Sequence, residues 1–279
     1  MDSVITHRLI SNMAELPTTK KTLGQHWLTD QASLESICEA AELAKTDTVL
    51  EVGPGPGALT KKLVQLAGQV VAVEFDRRFA SSLAVNPAAN LTVIHQDILQ
   101  FDLSSLPNGY KVVANIPYYL TSALLRKLSE AANPPATIVL LVQKEVAQRV
   151  AAPAGQMSML SVSVQLYYQA ELGLMVPAHL FVPPPKVDSQ VIKLVRRQQP
   201  LFPELDHKTF FRLVKAGFAA RRKTLLNSLS GGLRLSKPDV QVLLNSANLR
   251  PLMRPQELSL DDWFGLYQAW QANSPALQK

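Results

Sequence analysis

From Leu23 onward the hydrophobic positions switch repeatedly between the two-residue period of a strand and the longer period of a helix. Short apolar runs at Thr48–Val52, Gln69–Glu74, Leu91–His95, 111–115 and Thr137–Gln143 have the length and β-branched content of buried strands. Between them, residues 58–66, 79–83 and 122–128 space their apolar side chains as one helix face does. Upstream, Thr29, Asp30 or Ser33 stands where a cap is needed for a helix that buries Leu34, Ile37, Ala40 and Ala41. Helix and strand alternate every ~20–30 residues, which predicts an α/β fold with a doubly wound, Rossmann-like sheet.

The pattern changes after Val142. A Lys/Glu/Arg-rich helix is predicted over 144–150, a loop over 153–156, and a long apolar stretch follows over 159–168. Prolines 177, 183, 184 and 185 punctuate the chain before another strand at 187–195. Arg196 to Pro203 reads as a linker, and residues 208–229, 238–245 and 260–272 read as three helices. The expected organisation is a flexible arm over 1–19, an α/β domain over 20–199 and a small C-terminal all-α domain over 200–279.

Charge sharpens that division. The whole chain of 279 residues carries +6, but residues 1–185 carry −2, residues 186–254 carry +10 and residues 255–279 carry −2. A localised basic segment points to a polyanionic partner, or to a solvated charged face. Cys38 is the one cysteine, so neither a disulfide framework nor a Cys-based zinc site can form within one chain, and no metal is expected. No apolar run approaches the ~20 residues of a membrane span. The N-terminus lacks a basic-then-apolar leader. A cytoplasmic protein is expected.

Chemistry enters at the strand ends. Glu51-Val52-Gly53-Pro54-Gly55-Pro56-Gly57 follows the first core strand and opens a helix. Glycines there let the backbone turn tightly and approach a ligand. Glu74 ends the next strand, where a carboxylate can accept both ribose hydroxyls of an adenosine-containing cofactor. Asp97 sits past the following strand, placed to accept from the cofactor's adenine amino group. Asn115 ends the fourth. In open α/β sheets ligands bind outside the carboxyl ends of strands, so Gly53, Glu74, Asp97 and Asn115 form one constellation. The spacing G-x-G-x-G departs from the G-x-G-x-x-G of nicotinamide cofactors.

Asn115-Ile116-Pro117-Tyr118 is the sharpest motif. An adenine amino nitrogen is a poor nucleophile because its lone pair is delocalised into the ring. Two acceptors that grip its hydrogens, the Asn115 side-chain oxygen and the Ile116 carbonyl, favour a pyramidal nitrogen with its lone pair aimed at a methyl donor. Pro117 holds the residue before it extended, and the Tyr118 ring is suited to stack on an extruded base. Positive charge moving from sulfonium to nitrogen is stabilised by the same oxygens. The alternative is an Asn-x-Pro turn with a packed tyrosine.

With these motifs in view, nearly the whole chain, from about Lys20 to Trp263, resembles the ribosomal RNA adenine dimethyltransferases. Lys21-Thr22-Leu23-Gly24-Gln25-His26-Trp27-Leu28 is similar to that family's opening motif, which closes over the cofactor. The resemblance therefore implies S-adenosyl-L-methionine as cofactor, with His26 and Leu28 as contacts beside Gly53, Glu74, Asp97 and Asn115. Residues 143–149 and 181–189 match further family motifs, and Phe181 is implied as a second aromatic face at the target base. Core packing is the competing role for Phe181. Phe218-Ala219-Ala220-Arg221-Arg222-Lys223-Thr224-Leu225-Leu226-Asn227-Ser228-Leu229 is similar to a C-terminal helix of the small-subunit branch, and places Arg221, Arg222 and Lys223 against RNA phosphates. Trp27 stands where Phe is usual, and Met157-Ser158 where many relatives have Tyr-Gly.

The resemblance implies dimethylation of two adjacent adenosines near the 3′ end of 16S RNA, in the small ribosomal subunit, by a monomer. A large-subunit enzyme of the macrolide-resistance type remains an alternative, as does a ribosome-assembly or transcription factor that kept the fold without the chemistry. A DNA adenine methyltransferase would use similar Asn-Pro-Tyr chemistry, but only ~80 residues follow the boundary, too few for a separate target-recognition domain.

Overall fold

The computed structural model describes residues 25–220 and 222–277. The expected arm over 1–19, the first residues of the opening motif (Lys21 to Gly24) and Arg221 lie outside the described residues.

Seven strands form one sheet. Its members are β2 (Thr48–Val52), β3 (Gln69–Glu74), β4 (Leu91–His95), β5 (Lys111–Asn115), β6 (Thr137–Gln143), β7 (Tyr168–Val176) and β9 (Ser189–Arg196), in the order β4-β3-β2-β5-β6-β9-β7. The first five are parallel, and β9 runs antiparallel to β6. The order reverses between β2 and β5, which opens a crevice at their carboxyl ends. Two short strands, β1 (Trp27–Leu28) and β8 (Phe181–Val182), pair separately, with Trp27 opposite Val182 and Leu28 opposite Phe181.

Helices account for the apolar runs. Ile138 to Val142 of β6 are fully buried, because both sheet faces are covered and the pattern cannot alternate. On one face, α1 (Gln31–Ala40) and α2 (Ala58–Leu66) lay Leu34, Ile37, Leu59 and Leu63 on Val49, Val70, Val113 and Val139. Asp30 caps α1 by accepting from the Ser33 amide at 2.8 Å, settling which of the three candidates does so. Asp76 caps α3 (Arg77–Ala84) through the Arg78 amide at 3.1 Å. Next, α4 (Thr121–Ser129) buries Leu124, Leu125 and Leu128.

The chain divides into two compact units, though not at a single point. One comprises the chain up to Lys144 with Glu171–Val195; the other comprises Glu145–Ala170 with Arg196–Lys279. The second unit is helical: α5 (Lys144–Val150), α6 (Met159–Gln165), α7 (His207–Phe218), α8 (Leu225–Leu233), α9 (Lys237–Ser246) and α10 (Leu260–Leu277). Met157, Val162 and Leu166 share its core with Phe210, Leu229, Leu243 and Trp263, so part of the long apolar stretch before β7 serves the helical unit. A single boundary near residue 200 does not anticipate that excursion. Met157 is buried in this core, and Ser158 builds a capping box with Ser161 at the start of α6.

The helix expected over 208–229 is two helices. Gly232 of α8 faces Ala216 of α7 so closely that a Cβ would stand 2.6 Å from it, and Gly217 lies under the Trp263 ring. The amides of Leu225 and Leu226 donate to the carbonyls of Met253 and Pro251 instead of continuing a helix. Arg222 and Lys223 therefore occupy the turn between α7 and α8, not a helix face.

Candidate active site

At the carboxyl ends of β2, β3 and β5 the first unit holds a cavity of about 210 Å³. Its lining includes His26, Leu28, Gly53, Glu74, Asp97, Asn115, Ile116, Pro117, Tyr118 and Phe181, so every expected residue of the α/β part is brought to one place.

Its floor is the glycine loop. Gly53 and Gly55 have φ of +65° and +53°, a conformation that side chains rarely adopt. A Cβ on Gly55 would stand 3.3 Å from Trp27 Nε1, so the indole closes that side of the loop. Trp27 is 9% exposed and meets Phe79 edge-on, centroids 5.7 Å apart.

Glu74 is held by the backbone. Its Oε2 accepts from the Gly55 amide at 3.0 Å and its Oε1 from the Asp76 amide at 2.7 Å. Burial raises its carboxyl above the ordinary range, and those amides pull it partly back. Each oxygen keeps a second lone pair for a hydroxyl donor. Asp97 accepts from the Leu99 amide through Oδ1 at 2.9 Å, which leaves Oδ2 for another donor.

The opposite wall carries the Asn115–Tyr118 motif. The Asn115 Nδ2 group donates to the His26 carbonyl at 3.4 Å, a long contact that fixes which way the amide faces. Its Oδ1 is then the atom left to accept. Tyr118 is tied by its hydroxyl to Ser189 Oγ at 2.8 Å, and its ring stacks on His26 with centroids 5.8 Å apart and planes at 23°. Burial raises the Tyr118 phenol, against the opposing effect of the Ser189 bond. His26 Nδ1 lies 2.7 Å from the Pro183 carbonyl; a carbonyl only accepts, so Nδ1 carries the hydrogen.

Phe181 is 2% exposed and packs with Leu28, Leu34 and Val176 in the core. It touches the cavity but offers no open face as placed; pairing with β1 turns it inward.

Sequence reasoning passed over four contributors. Glu51 was noted only as the residue before the loop, yet it lines the cavity at 1% exposure. Phe75, Leu99 and Tyr119 also line it while remaining 60%, 41% and 66% exposed. The available signal was exposed apolar residues soon after strand-end polar ones: Phe75 directly follows Glu74, Leu99 lies two residues past Asp97 and Tyr119 four past Asn115. One such residue is unremarkable, and only their convergence at a pocket gives it meaning.

In the second unit, Arg222 and Lys223 are exposed. No helix among the described residues is long and apolar enough to cross a membrane.

Known proteins bear on this geometry. A protein of Dehalococcoides mccartyi (strain CBDB1), "Ribosomal RNA small subunit methyltransferase A", is 44% identical over 259 residues, 91% of this chain and 89% of that one. The crystal structure of the 23S rRNA methyltransferase ErmE superposes with a TM-score of 0.70 at 30% identity, covering 88% of this chain and 99% of that one. A dimethyladenosine transferase from Plasmodium falciparum superposes with a TM-score of 0.74 at 27% identity, covering 88% and 98%. The protein is a methyltransferase, and its cofactor is S-adenosyl-L-methionine. The sequence profile of the ribosomal RNA adenine dimethylases matches residues 17–271, and the chain belongs to that family.

Proposed function

We propose that the protein dimethylates the N6 amino groups of two adjacent adenosines near the 3′ end of 16S RNA, working in the cytoplasm as a monomer on the small ribosomal subunit. One observation carries the reading. Asn115 is oriented by the His26 carbonyl so that its Oδ1 is free, and it stands beside the tethered Tyr118 ring on the wall of a cavity that also holds Glu74.

The residues fit the cofactor. Gly53 and Gly55 leave room where side chains would intrude, and Glu74 offers two pre-paired carboxylate oxygens to ribose hydroxyls. Asp97 Oδ2 is placed to accept from an adenine amino group, and His26 and Leu28 close the near side. The bound sulfonium supplies the methyl group.

The protein's own atoms do the rest. Asn115 Oδ1 and the Ile116 carbonyl accept the two hydrogens of the target amine, which draws its lone pair out of the ring. Pro117, with φ −56° and ψ 133°, restricts the preceding Ile116 to an extended conformation, which would let its carbonyl act beside Asn115 Oδ1. Tyr118 stacks on the base, and Phe181 contributes through packing beneath the site. The oxygens stabilise the positive charge that develops on nitrogen, and placement of the amine supplies much of the remaining rate gain. No strong general base is required, because the adenine ammonium formed is very acidic. Arg221, Arg222 and Lys223 would contact RNA phosphates.

The 30% identity to ErmE favours a second reading, a large-subunit adenine as target. Methyl transfer from radiolabelled cofactor should be compared on immature small subunits, large-subunit RNA and duplex DNA. Incorporation confined to small subunits supports the first reading, and incorporation confined to large-subunit RNA replaces it with the second.

A further inference from the structure

Glu51 has no role in the chemistry above, and its environment is unusual. It lies in β2, immediately before the glycine loop, at 1% exposure. It lines the cavity, and its Oε2 is buried with no hydrogen-bond partner among the described residues. An ionised carboxylate left in this state is costly unless a cation joins it.

Among the described residues, the groups that act on Glu51 include no cation. From β3, Glu74 adds a second buried carboxylate. From α1, Cys38 is a buried thiol pushed up to about 11 by burial, with Glu35 and Glu39 on either side of it on the same helix. From α2, Lys62 is engaged with Glu35 at 2.9 Å. Thr60 Oγ1, also on α2, relieves the carboxyl only in part and makes no hydrogen bond of normal geometry. Among the described residues the site thus holds a carboxyl group without a countercharge, beside a space read as taking a ligand with two cationic groups, a sulfonium and an ammonium.

We propose that Glu51 is the cavity's exchangeable countercharge: it holds a proton in the free enzyme and gives it up to solvent when the cationic cofactor binds, so that cofactor binding is proton-coupled. This rests on the reading of the cavity as the S-adenosyl-L-methionine site. The balance is simple. One carboxyl O–H bond breaks, the proton passes to buffer, and the carboxylate left behind faces the cofactor's positive charge. Burial supports the direction, since it raises the Glu51 carboxyl from 4.5 to about 8, with Glu74 pushing the same way.

The sign follows. Below pH ~8 the free enzyme holds the proton and binding must expel it, so affinity rises with pH until the carboxyl is already ionised. Above that pH, release from the carboxyl vanishes and affinity stops rising, since the cofactor's own amino group then begins to lose its charge.

The test is titration calorimetry of the whole protein with S-adenosyl-L-methionine at pH 7, in buffers of different ionisation enthalpy. The inference expects the heat to scale with buffer enthalpy and to report release of about one proton per cofactor, declining towards zero above pH 9. Glu51→Gln, verified as folded by circular dichroism, should remove most of the release at pH 7 and flatten the rise of affinity with pH below that value, leaving only what Glu74 and the cofactor's own amino group contribute. A parallel titration with the thioether product identifies the partner: equal release assigns Glu51 to the ammonium, and smaller release to the sulfonium. Cofactor binding with heats independent of buffer overturns the inference, as does full proton release in Glu51→Gln. Absence of cofactor binding would overturn the reading of the cavity itself, which separates the two failures.

Discussion

The cavity of the α/β unit and the basic turn of the helical unit place polar groups in opposite ways. In the cavity, Glu74, Asp97, Asn115 and Tyr118 each have protein partners that fix the side chain and leave an acceptor lone pair or a ring for a ligand. Around the turn, Arg222 and Lys223 stand exposed above an apolar core sealed by Gly217, Trp263 and Leu229. Fixed acceptors suit a step whose geometry must hold within a fraction of an ångström. Exposed cations suit attraction to a polyanion, where charge matters more than aim. The contrast teaches that chemistry and docking can be damaged separately.

The largest effect is expected at Asn115. Asn115→Ala removes an acceptor that works hardest in the transition state, so turnover should fall by about 10²–10³. Single-turnover kinetics at saturating cofactor would measure it, and a variant with near-normal turnover would take Asn115 out of the chemistry. Glu74→Ala comes next. Each lost charged hydrogen bond costs about 1.5–3 kcal/mol, so calorimetry should show weaker cofactor binding while circular dichroism stays unchanged. Tyr118→Ala should cost about 1–3 kcal/mol of base stacking and show in methyl transfer, with cofactor affinity nearly intact. A collapse of cofactor affinity with turnover preserved would reverse that assignment.

The smallest effect on the chemical step should come from the turn. Replacing Arg221, Arg222 and Lys223 together by Gln should flatten the salt dependence of log affinity for the particle by up to ~2–3 units. Turnover on bound substrate should hardly change. An unaltered slope would make these side chains surface solvation only, and a lost turnover would break the separation between docking and chemistry.

Much of this was legible in sequence because the strands of the α/β unit are short apolar runs ending in chemical residues. Thr48–Val52, Gln69–Glu74 and Thr137–Gln143 have their expected limits, since burial on both faces leaves a signal that tertiary context cannot shift. The β7 strand was not expected. It is an edge strand with Leu172, Leu174 and Met175 exposed, so no burial pattern marks it. Two-residue strands such as β1 and β8 are likewise below any periodic signal. The break between α7 and α8 was hidden because its cause, the Met253 and Pro251 carbonyls, lies some 25–30 residues away. At the site, strand-end residues could be named from spacing alone. The orphaned oxygen of Glu51 could not, because burial of a carboxylate within a strand leaves no trace in the letters around it.

The central claim is that an amine-gripping pocket in this chain acts on ribosomal adenosine. The most direct test is mass mapping of RNA after incubation of the purified protein with immature small subunits and S-adenosyl-L-methionine. The account predicts that two adjacent adenosines near the 3′ end of 16S RNA each gain the mass of two methyl groups, and that Asn115→Ala leaves both unmodified. Methyl groups found instead on large-subunit RNA, on a different atom of adenine, or undiminished in Asn115→Ala would contradict it.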